Sequence, residues 1–189
     1  GNLIAIGSLG WNEPSGTYSM VKLYENNSGS WDKVGDSIWS QSFDDKTGER
    51  VALSGDGTVL AVSRWGTGKV DIYGYDGISW VRHKQFIGNS GFGYDISLSE
   101  DGTVIGIGDI YANNEAGVVH LYKMTAISED DFTSSWESIG QINGEANYDR
   151  SGSSVSISDD GTTVAIGAPW NDGGGDKSGN VRLYQIITN

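Results

Sequence analysis

One phrase of sequence recurs along this chain and limits its possible folds more than any other feature. Its copies read GERVALSGDGTVLAVS from Gly48, GYDISLSEDGTVIGIG from Gly93 and GSSVSISDDGTTVAIG from Gly152, and the chain opens with a partial copy, GNLIAIG. A closing tyrosine recurs at intervals of 49, 49 and 62 residues, at Tyr24, Tyr73, Tyr122 and Tyr184. A period of about 40 to 50 residues is typical of stacked repeats, because one unit cannot bury its apolar face alone.

Each unit has the apolar period of β-strands. Apolar residues stand at the third and fifth positions after the leading glycine, for example Val51 and Leu53, which is the spacing of one strand face. An Asp-Gly pair then supplies the positive-φ residue of a tight hairpin, as at Asp56 and Gly57. An apolar second strand, a third strand ending in tyrosine and a fourth starting at a tryptophan complete the unit. Four strands in each unit indicate a propeller blade.

We therefore predict an all-β fold, a β-propeller of four-stranded antiparallel blades with about 3.5 to 4 blades in this chain. The single repeat domain divides into blade units at approximately 1–38, 48–87, 93–142 and 152–189. Because the chain begins at a second strand and stops after a third, the expected strand counts are three, four, four and three. Two interpretations remain open. Either the chain is a segment of a longer propeller, or partner chains cover its edge strands, since unpaired edges invite association.

The string SVSISDDGTTVAIGAPWNDGGGDKSGNVRLYQI resembles the FG-GAP repeats of the integrin α-subunit N-terminal β-propeller, and more closely their extracellular relatives in algae and bacteria. The resemblance rests on a leading glycine, Asp-Gly, a GAP-like triplet and G-x-V-x-L-Y in fixed order. The GAP triplet itself survives only as Gly167, Ala168 and Pro169. The resemblance implies an extracellular or cell-surface location and a role in adhesion.

The resemblance also raises calcium binding. In integrin blades the hairpin between the first and second strands carries an oxygen-rich D-x-D-x-D-G sequence, whereas these turns read SGDGT, SEDGT and SDDGT. Since Ca²⁺ takes about six to eight oxygen ligands, we interpret Asp56, Asp101 and Asp160 as turn residues. The loop NDGGGDKSGN is the better candidate for Ca²⁺, with Asn171, Asp172 and Asp176 as its ligands. The alternative is an ordinary surface hairpin.

An aromatic residue follows the second strand of every unit, at Trp11, Trp65, Tyr111 and Trp170. In the integrin arrangement these loops share the upper face with the connections between blades, which here contribute Tyr148. An aromatic ring beside amides can stack on a sugar or anchor a protein partner. The candidate ligand-binding residues are therefore Trp11, Trp65, Tyr111, Trp170, Asn171 and Tyr148. The alternative is that each ring wedges between adjacent blades.

The charge balance argues against nucleic acid as a partner. The chain has 12 basic and 25 acidic residues and a net charge of −13, so it lacks the basic face that displaces counterions from a polyanion. It contains no cysteine and no apolar run long enough for a transmembrane segment. We expect a protein or carbohydrate ligand, and homo- or hetero-oligomers formed through the edge strands.

No recognised catalytic motif occurs in the sequence. The two histidines, His83 and His120, belong to no spaced ligand set, and neither a nucleophile elbow nor a phosphate-binding loop is present. We therefore predict a non-catalytic extracellular recognition or adhesion module. The alternatives are a structural component of a surface layer or filament that assembles through its open edge blades, and a carbohydrate-active enzyme. Asn26 begins an Asn-Asn-Ser sequence and is a candidate glycosylation site.

Overall fold

The computed structural model of the chain describes residues 2–10, 19–127 and 134–187. Across these residues it contains fourteen β-strands in four antiparallel sheets and almost no helix. The first sheet contains β1 (Leu3–Ser8), β2 (Met20–Asn27) and β3 (Ser30–Trp39). The second contains β4 (Val51–Leu53), β5 (Val59–Arg64), β6 (Lys69–Tyr75) and β7 (Trp80–Ile87). The third contains β8 (Phe92–Leu98), β9 (Val104–Asp109), β10 (Val118–Ile127) and β11 (Ser134–Asn143). The fourth contains β12 (Ser154–Ile157), β13 (Thr163–Ala168) and β14 (Asn180–Gln185).

Each sheet is a meander whose strands pair in chain order. The sheets have three, four, four and three strands in the described residues, which are the counts expected from the sequence. The first sheet starts with a second-type strand, since Ile4 and Ile6 of β1 occupy the places of Leu60 and Val62 in β5. The all-β, propeller-like architecture is therefore confirmed.

The Asp-Gly pairs form the hairpin turns between the first and second strands of the sheets. The Asp56 carboxylate accepts hydrogen bonds from the Thr58 N–H (2.9 Å) and from the Ser54 hydroxyl (2.7 Å). These bonds hold the pKa of Asp56 below its ordinary value. The same pattern joins Asp101 to Ser99 and Thr103, and Asp160 to Ser158 and Thr162. All three carboxylates therefore close turns, as the sequence indicated.

Three apolar clusters fill the spaces between consecutive sheets. The cluster between the first and second sheets contains Val21, Leu23, Ile38, Leu60, Val62, Tyr73 and Trp80. The next contains Ala61, Val70, Ile72, Phe86, Phe92, Ile96, Ile105, Ile107 and Trp136. The third contains Val104, Val119, Leu121, Val155, Ile157, Val164 and Ile166. Burying one such aliphatic side chain contributes roughly 1.5–3 kcal/mol, so these clusters hold the sheets together.

Glycines allow neighbouring sheets to approach at the level of the backbone. A Cβ atom on Gly7 would overlap the carbonyl oxygen of Gly48, and one on Gly108 would overlap that of Gly152. Gly48 and Gly152, which lead the repeats, also have φ values of +80° and +91°. This left-handed conformation favours glycine because it carries no Cβ. The leading glycine of a repeat is thus required for both backbone conformation and packing.

Two sets of loops meet at one end of the sheets, which we call the upper face. The loops after the second strands carry a 3₁₀ turn (Trp65–Thr67) and a four-residue turn, α1 (Ala112–Glu115), whose last three residues have left-handed backbone. A loop that leads into a first strand carries a second 3₁₀ turn (Phe43–Asp45). Backbone hydrogen bonds join the two sets, for example from the Arg150 N–H to the Glu115 carbonyl (2.9 Å). The sequence-predicted aromatic residues in the described part of the chain lie in these loops.

Candidate functional site

The junction of the third and fourth sheets carries a cleft on the upper face. Backbone hydrogen bonds fix its walls: the Tyr148 N–H donates to the Asn114 carbonyl (3.3 Å), and the Trp170 N–H donates to the Asp149 carbonyl (3.4 Å). Three loops, at 110–117, 144–153 and 169–179, therefore meet at one place. The cleft has a volume of about 350 Å³ and is lined by Glu115, Asn147, Tyr148, Arg150, Trp170, Asp172 and Lys177.

The Arg150 side chain connects the three loops. Its Nη2 and Nε atoms lie 2.8 and 3.0 Å from Glu115 Oε2, which makes a charge-assisted contact. The guanidinium carbon lies 4.8 Å from the centre of the Trp170 ring and 5.7 Å from the centre of the Tyr111 ring. Lys177 Nζ is 5.1 Å from the centre of the Trp170 ring. Both distances to Trp170 are within the range of cation–π attraction.

Three aromatic rings of this junction remain open to solvent. Tyr148 is 58% exposed, Trp170 is 43% exposed and Tyr111 is 40% exposed. A mixture of exposed tyrosine and tryptophan beside arginine has the composition of a binding hot spot. We define the Arg150 patch as Tyr111, Glu115, Tyr148, Arg150, Trp170 and Lys177.

Asn171 supports the patch from below. It is buried, and its Nδ2 atom donates to Asp149 Oδ2 (2.7 Å) and to Glu145 Oε2 (3.3 Å). Its Oδ1 atom accepts a hydrogen bond from the Gly173 N–H (2.9 Å). The buried Asp149 carboxylate in turn accepts from the Ala146 N–H (3.0 Å). Asn171 therefore fixes the loop that carries Trp170, and its side chain is not on the exposed surface.

Left-handed backbone is concentrated around the cleft. Among the described residues, eight non-glycine residues have positive φ, and six of them belong to these three loops: Asn113 (52°), Asn114 (58°), Glu115 (61°), Tyr148 (70°), Arg150 (52°) and Lys177 (49°). The left-handed conformation costs L-residues other than asparagine and aspartate roughly 1–2 kcal/mol each. Strain of this kind clusters at ligand sites, where the surrounding structure holds it in place. This concentration marks the junction as a functional candidate independently of its side chains.

Trp65 lies at a different junction and is more enclosed. Its Nε1 atom donates to Glu49 Oε2 (2.8 Å), Lys46 Nζ lies 3.9 Å from its ring centre, and Tyr94 packs edge to face against it at 5.6 Å. Tyr94 belongs to the third sheet and Trp65 to the second. Trp65 therefore packs between adjacent blades, which was the alternative to ligand binding in the sequence analysis. Ligand binding by Trp65 stays a prediction.

The remaining sequence predictions concern Trp11, the glycosylation of Asn26 and the absence of a transmembrane segment. Trp11 lies outside the described residues. Asn26 is half-buried in β2, and its Oδ1 atom accepts a hydrogen bond from the Gly29 N–H (2.8 Å), so its glycosylation stays a prediction. No helix in the described residues is long and apolar enough to cross a membrane.

Two of the three residues predicted to bind Ca²⁺ accept hydrogen bonds within their own loop. Asn171 uses its side-chain oxygen within the loop, and Asp172 Oδ1 accepts a hydrogen bond from the Lys177 N–H (2.7 Å). Within residues 2–10, 19–127 and 134–187, no group of three or more acidic, histidine or cysteine side chains is arranged to hold a metal ion. Metal binding by Asn171, Asp172 and Asp176 stays a prediction.

Sequence reasoning missed Glu115 and Lys177. Glu115 follows two asparagines, the residue type that best tolerates left-handed backbone, and this was the available signal. Lys177 stands six residues beyond Asn171 in a glycine-rich loop, where no periodicity predicts the position of a side chain.

Comparison with known proteins identifies the repeat. Residues 143–184, which run from the end of β11 to β14 and include most of the Arg150 patch, match the FG-GAP repeat family. Among curated proteins the sequence has no significant match.

Solved structures share the fold at low sequence identity. A candidate 6-phosphogluconolactonase from Bacteroides uniformis superposes with a TM-score of 0.59 at 12% identity, covering 91% of this chain and 48% of that protein. A second from Bacteroides fragilis gives 0.52 at 14% identity, covering 85% and 46%. A hypothetical selenium-binding protein from Sulfolobus tokodaii gives 0.50 at 14% identity, covering 75% and 38%. The chain thus spans less than half the length of these proteins, and the likeness concerns the fold alone. The resemblance seen in the sequence is confirmed: the chain carries an FG-GAP repeat on a propeller-like fold.

Proposed function

We propose that this chain is a non-catalytic extracellular recognition or adhesion module whose Arg150 patch binds a protein ligand. The observation that supports this most is the coincidence, at one junction, of exposed Tyr148 and Trp170 with Arg150 and with a strained backbone. Tyrosine, tryptophan and arginine are the residue types most enriched where single side chains dominate binding energy. Strained loops held by buried hydrogen bonds supply the preorganisation that reduces the entropic cost of binding.

The geometry favours a protein over a glycan. A sugar ring stacks on an open aromatic face, but Arg150 and Lys177 already lie over the Trp170 ring at 4.8 and 5.1 Å. The most exposed ring, Tyr148, instead projects beside a cation and two carboxylates, Glu115 and Asp172, in the same cleft. Such a mixed surface suits the polar and aromatic contacts of a protein interface. Glycan binding remains the alternative outcome of the test.

An extracellular or cell-surface location belongs to the same proposal. FG-GAP repeats are typically extracellular, and the Asn26 sequence would accept a glycan there. The acidic composition accords with a surface that stays in solution through charge repulsion.

The test uses the labelled 189-residue chain on two arrays, one of purified extracellular proteins and one of defined oligosaccharides. Tyr148→Ala removes the most exposed ring of the patch, and Trp31→Ala removes an exposed aromatic residue of β3 as a matched control. We expect protein binding that falls at least about tenfold in Tyr148→Ala, as removal of a hot-spot residue does. The control variant should bind as strongly as the unsubstituted chain, provided that circular dichroism shows both variants folded.

Three results would overturn the proposal. Binding confined to oligosaccharides would assign the patch to glycans, and protein binding that survives Tyr148→Ala and Trp170→Ala together would move the site elsewhere on the chain. If Trp31→Ala reduces binding as much as Tyr148→Ala does, the loss is not specific to the Arg150 patch.

A further inference from the structure

The Arg150 patch holds two cations on one tryptophan, whereas the tryptophan after the second strand of the second sheet holds one. Arg150 and Lys46 each stand two residues before the leading glycine of a repeat, with φ values of +52° and +51°. The Arg150 guanidinium carbon lies 4.8 Å from the ring centre of Trp170. Lys46 Nζ lies 3.9 Å from the ring centre of Trp65. This first cation is therefore shared by the two repeats, and Lys177 is an addition.

A longer loop brings the second cation to the ring. Residues 65–68 connect the second and third strands of the second sheet, whereas the longer segment 169–179 connects them in the fourth. The Lys177 N–H donates to Asp172 Oδ1 (2.7 Å), which folds this longer loop back on itself. Lys177 Nζ then lies 5.1 Å from the centre of the Trp170 ring. Since the second sheet forms with the short loop, the addition is not needed to build a sheet of this type.

Both cations have N–H groups without an acceptor in the described part of the chain. Arg150 Nε and Nη2 donate to Glu115 Oε2, but Arg150 Nη1 makes no hydrogen bond or ion pair with the described residues. The same holds for Lys177 Nζ, whose contact among these residues is the aromatic ring. A guanidinium Nη carries two N–H donors and an ammonium carries three. The cleft between the loops at 110–117 and 169–179 is thus lined by donors that an anionic ligand can use.

The charge of the cleft limits the kind of anion that it can hold. Its lining contains Glu115 and Asp172 besides Arg150 and Lys177, so the formal charges cancel. A phosphate monoester carries about 1.5 to 2 negative charges and would meet both carboxylates in a cleft of about 350 Å³. A carboxylate carries one charge and still forms charge-assisted hydrogen bonds with arginine and lysine. The cleft therefore suits a single carboxylate better than a phosphate.

Resting on the proposed function, we propose that the protein ligand places an aspartate or glutamate side chain in this cleft. Arg150 Nη1 and Lys177 Nζ donate hydrogen bonds to its carboxylate, and the exposed Tyr148 packs on the residue beside that acid. The Trp170 ring attracts both cations and limits their motion before the ligand arrives. Such preorganisation lowers the entropic cost of binding.

Matched pairs of synthetic peptides test this inference. The array carries short peptides of varied sequence, each acidic peptide beside a copy with Asn for Asp or Gln for Glu. It is probed with the labelled 189-residue chain and with the Lys177→Gln and Lys46→Gln variants. We expect the chain to bind acidic peptides and to bind their amide copies at least about tenfold more weakly, as loss of a charge-assisted hydrogen bond predicts.

The two variants separate a local contact from the overall charge. Both remove one cation that lies over a tryptophan, and both change the net charge equally. Lys177→Gln should lose most of the preference for acid over amide, whereas Lys46→Gln should keep it. Lys177→Arg retains the charge and should keep the preference as well. Circular dichroism checks that each variant is folded, and the comparison of acid with amide on the unsubstituted chain decides the matter even if one is not.

Several outcomes would overturn the inference. Equal binding of acidic and amide peptides would refute the carboxylate, and the proposed function would still stand if Tyr148→Ala weakens that binding. Selection of lysine- or arginine-containing peptides, binding confined to uronic acid oligosaccharides, or no peptide binding at all would also refute it. An equal loss of preference in Lys46→Gln and Lys177→Gln would show a long-range effect of charge instead of a contact in the cleft. The array of extracellular proteins tests the proposed function separately in each case.

Discussion

Arg64 Nε lies 2.6 Å from Asp71 Oδ2, and both side chains are buried inside the second sheet. The N–H does not point directly at the carboxylate, so the contact is an ion pair without a well-aligned hydrogen bond. Asp71 also accepts a hydrogen bond from Gln85 Nε2 (2.7 Å), and Arg64 Nη1 lies 3.3 Å from Asp45. Burial lowers the pKa of Arg64, but its neighbours, Asp71 foremost, outweigh this and raise the pKa above its ordinary value.

The third sheet has the opposite arrangement at the same two positions. Asp109 stands at the register position of Arg64, and His120 stands at that of Asp71. Their side chains approach to 3.9 Å between Nε2 and Oδ2. In the fourth sheet the equivalent positions hold Ala168 and Arg182, and Arg182 instead pairs with Glu145, so this contact between the second and third strands is a feature of the two middle sheets.

Replacing Arg64 alone should destabilise the protein strongly. Arg64→Met removes the buried cation shared by Asp71 and Asp45 and leaves Asp71 only the partly exposed Arg82 at 3.8 Å. Loss of one partner of a buried pair costs roughly 3–5 kcal/mol. The double variant Arg64→Met/Asp71→Leu removes both charges and should recover part of that loss. Urea denaturation measures both free energies of unfolding. A double variant no more stable than Arg64→Met would contradict this account of the pair.

Adding a methyl group to Gly108 should also destabilise the protein. The new Cβ would overlap the carbonyl oxygen of Gly152, so the third and fourth sheets must move apart. Overpacking of this kind typically costs about 1–3 kcal/mol. The comparison is Gly167→Ala, whose Cβ would lie 3.3 Å from the Ser154 Cβ and would require only a small shift of that side chain. Thermal unfolding midpoints of the two variants measure the difference. Equal midpoints would show that backbone contact between the sheets contributes little.

Tyr148→Gly should stabilise the chain while removing ligand binding. Tyr148 has φ +70° and an exposed ring, so glycine relieves strain worth about 1 kcal/mol and sacrifices little packing. Tyr148→Ala keeps a Cβ and should gain no such stability, although it loses binding equally. Calorimetry of the three proteins separates the two effects. A fall in the midpoint of Tyr148→Gly would show that the ring is part of the core.

The turn aspartates should contribute to loss of stability in acid. Burial tends to raise the pKa of Asp101, but hydrogen bonds from Ser99 and Thr103 outweigh it and lower the pKa below its model-peptide value of 3.8. The unfolded chain therefore binds a proton first as the pH falls, so this stabilisation is complete above about pH 3.8 and is lost as the pH falls through the folded pKa. We measure the free energy of unfolding by urea denaturation at several acidic pH values. Below about pH 3.8 it should fall less steeply with pH in Asp101→Asn than in Asp176→Asn, since Asp176 is an exposed aspartate of the glycine-rich loop. The same pH dependence of the free energy of unfolding in both variants would refute a special role of the turn aspartate.

The repeat made the sheets predictable because local signals agree with one another. Alternation at Val51 and Leu53, the Asp56–Gly57 turn and the closing Tyr73 each specify one strand or turn, and their fixed order repeats. The number of strands in each sheet follows from the order of these local signals alone. Side-chain contacts between loops cannot be predicted in this way, because they depend on how far two sheets are rotated against each other.

The aromatic residues show this limit clearly. Trp65 and Trp170 follow equivalent strands, yet Tyr94 and Glu49 enclose the first, while Arg150 and Lys177 leave the second partly open. Asn171 was expected at the surface, but Asp149 and Glu145 draw its amide inward. The left-handed backbone at Glu115 has only the two preceding asparagines as a sequence signal.

Each of the three apolar clusters joins two consecutive sheets, so in the described chain each sheet is stabilised only by its immediate neighbours. The second and third sheets each pack against two neighbouring sheets, whereas the first and fourth each pack against one. Unfolding of an end sheet therefore breaks one apolar interface, and unfolding of a middle sheet breaks two. Native-state hydrogen exchange should thus be fastest in the two end sheets. The Arg150 patch lies across the interface between the third and fourth sheets, so it would be lost when the fourth sheet unfolds. The Arg64–Asp71 pair, in the second sheet, would still be folded at that stage. Recognition at this junction would then report on the integrity of one end of the array, and a bound ligand would suppress fraying there by mass action.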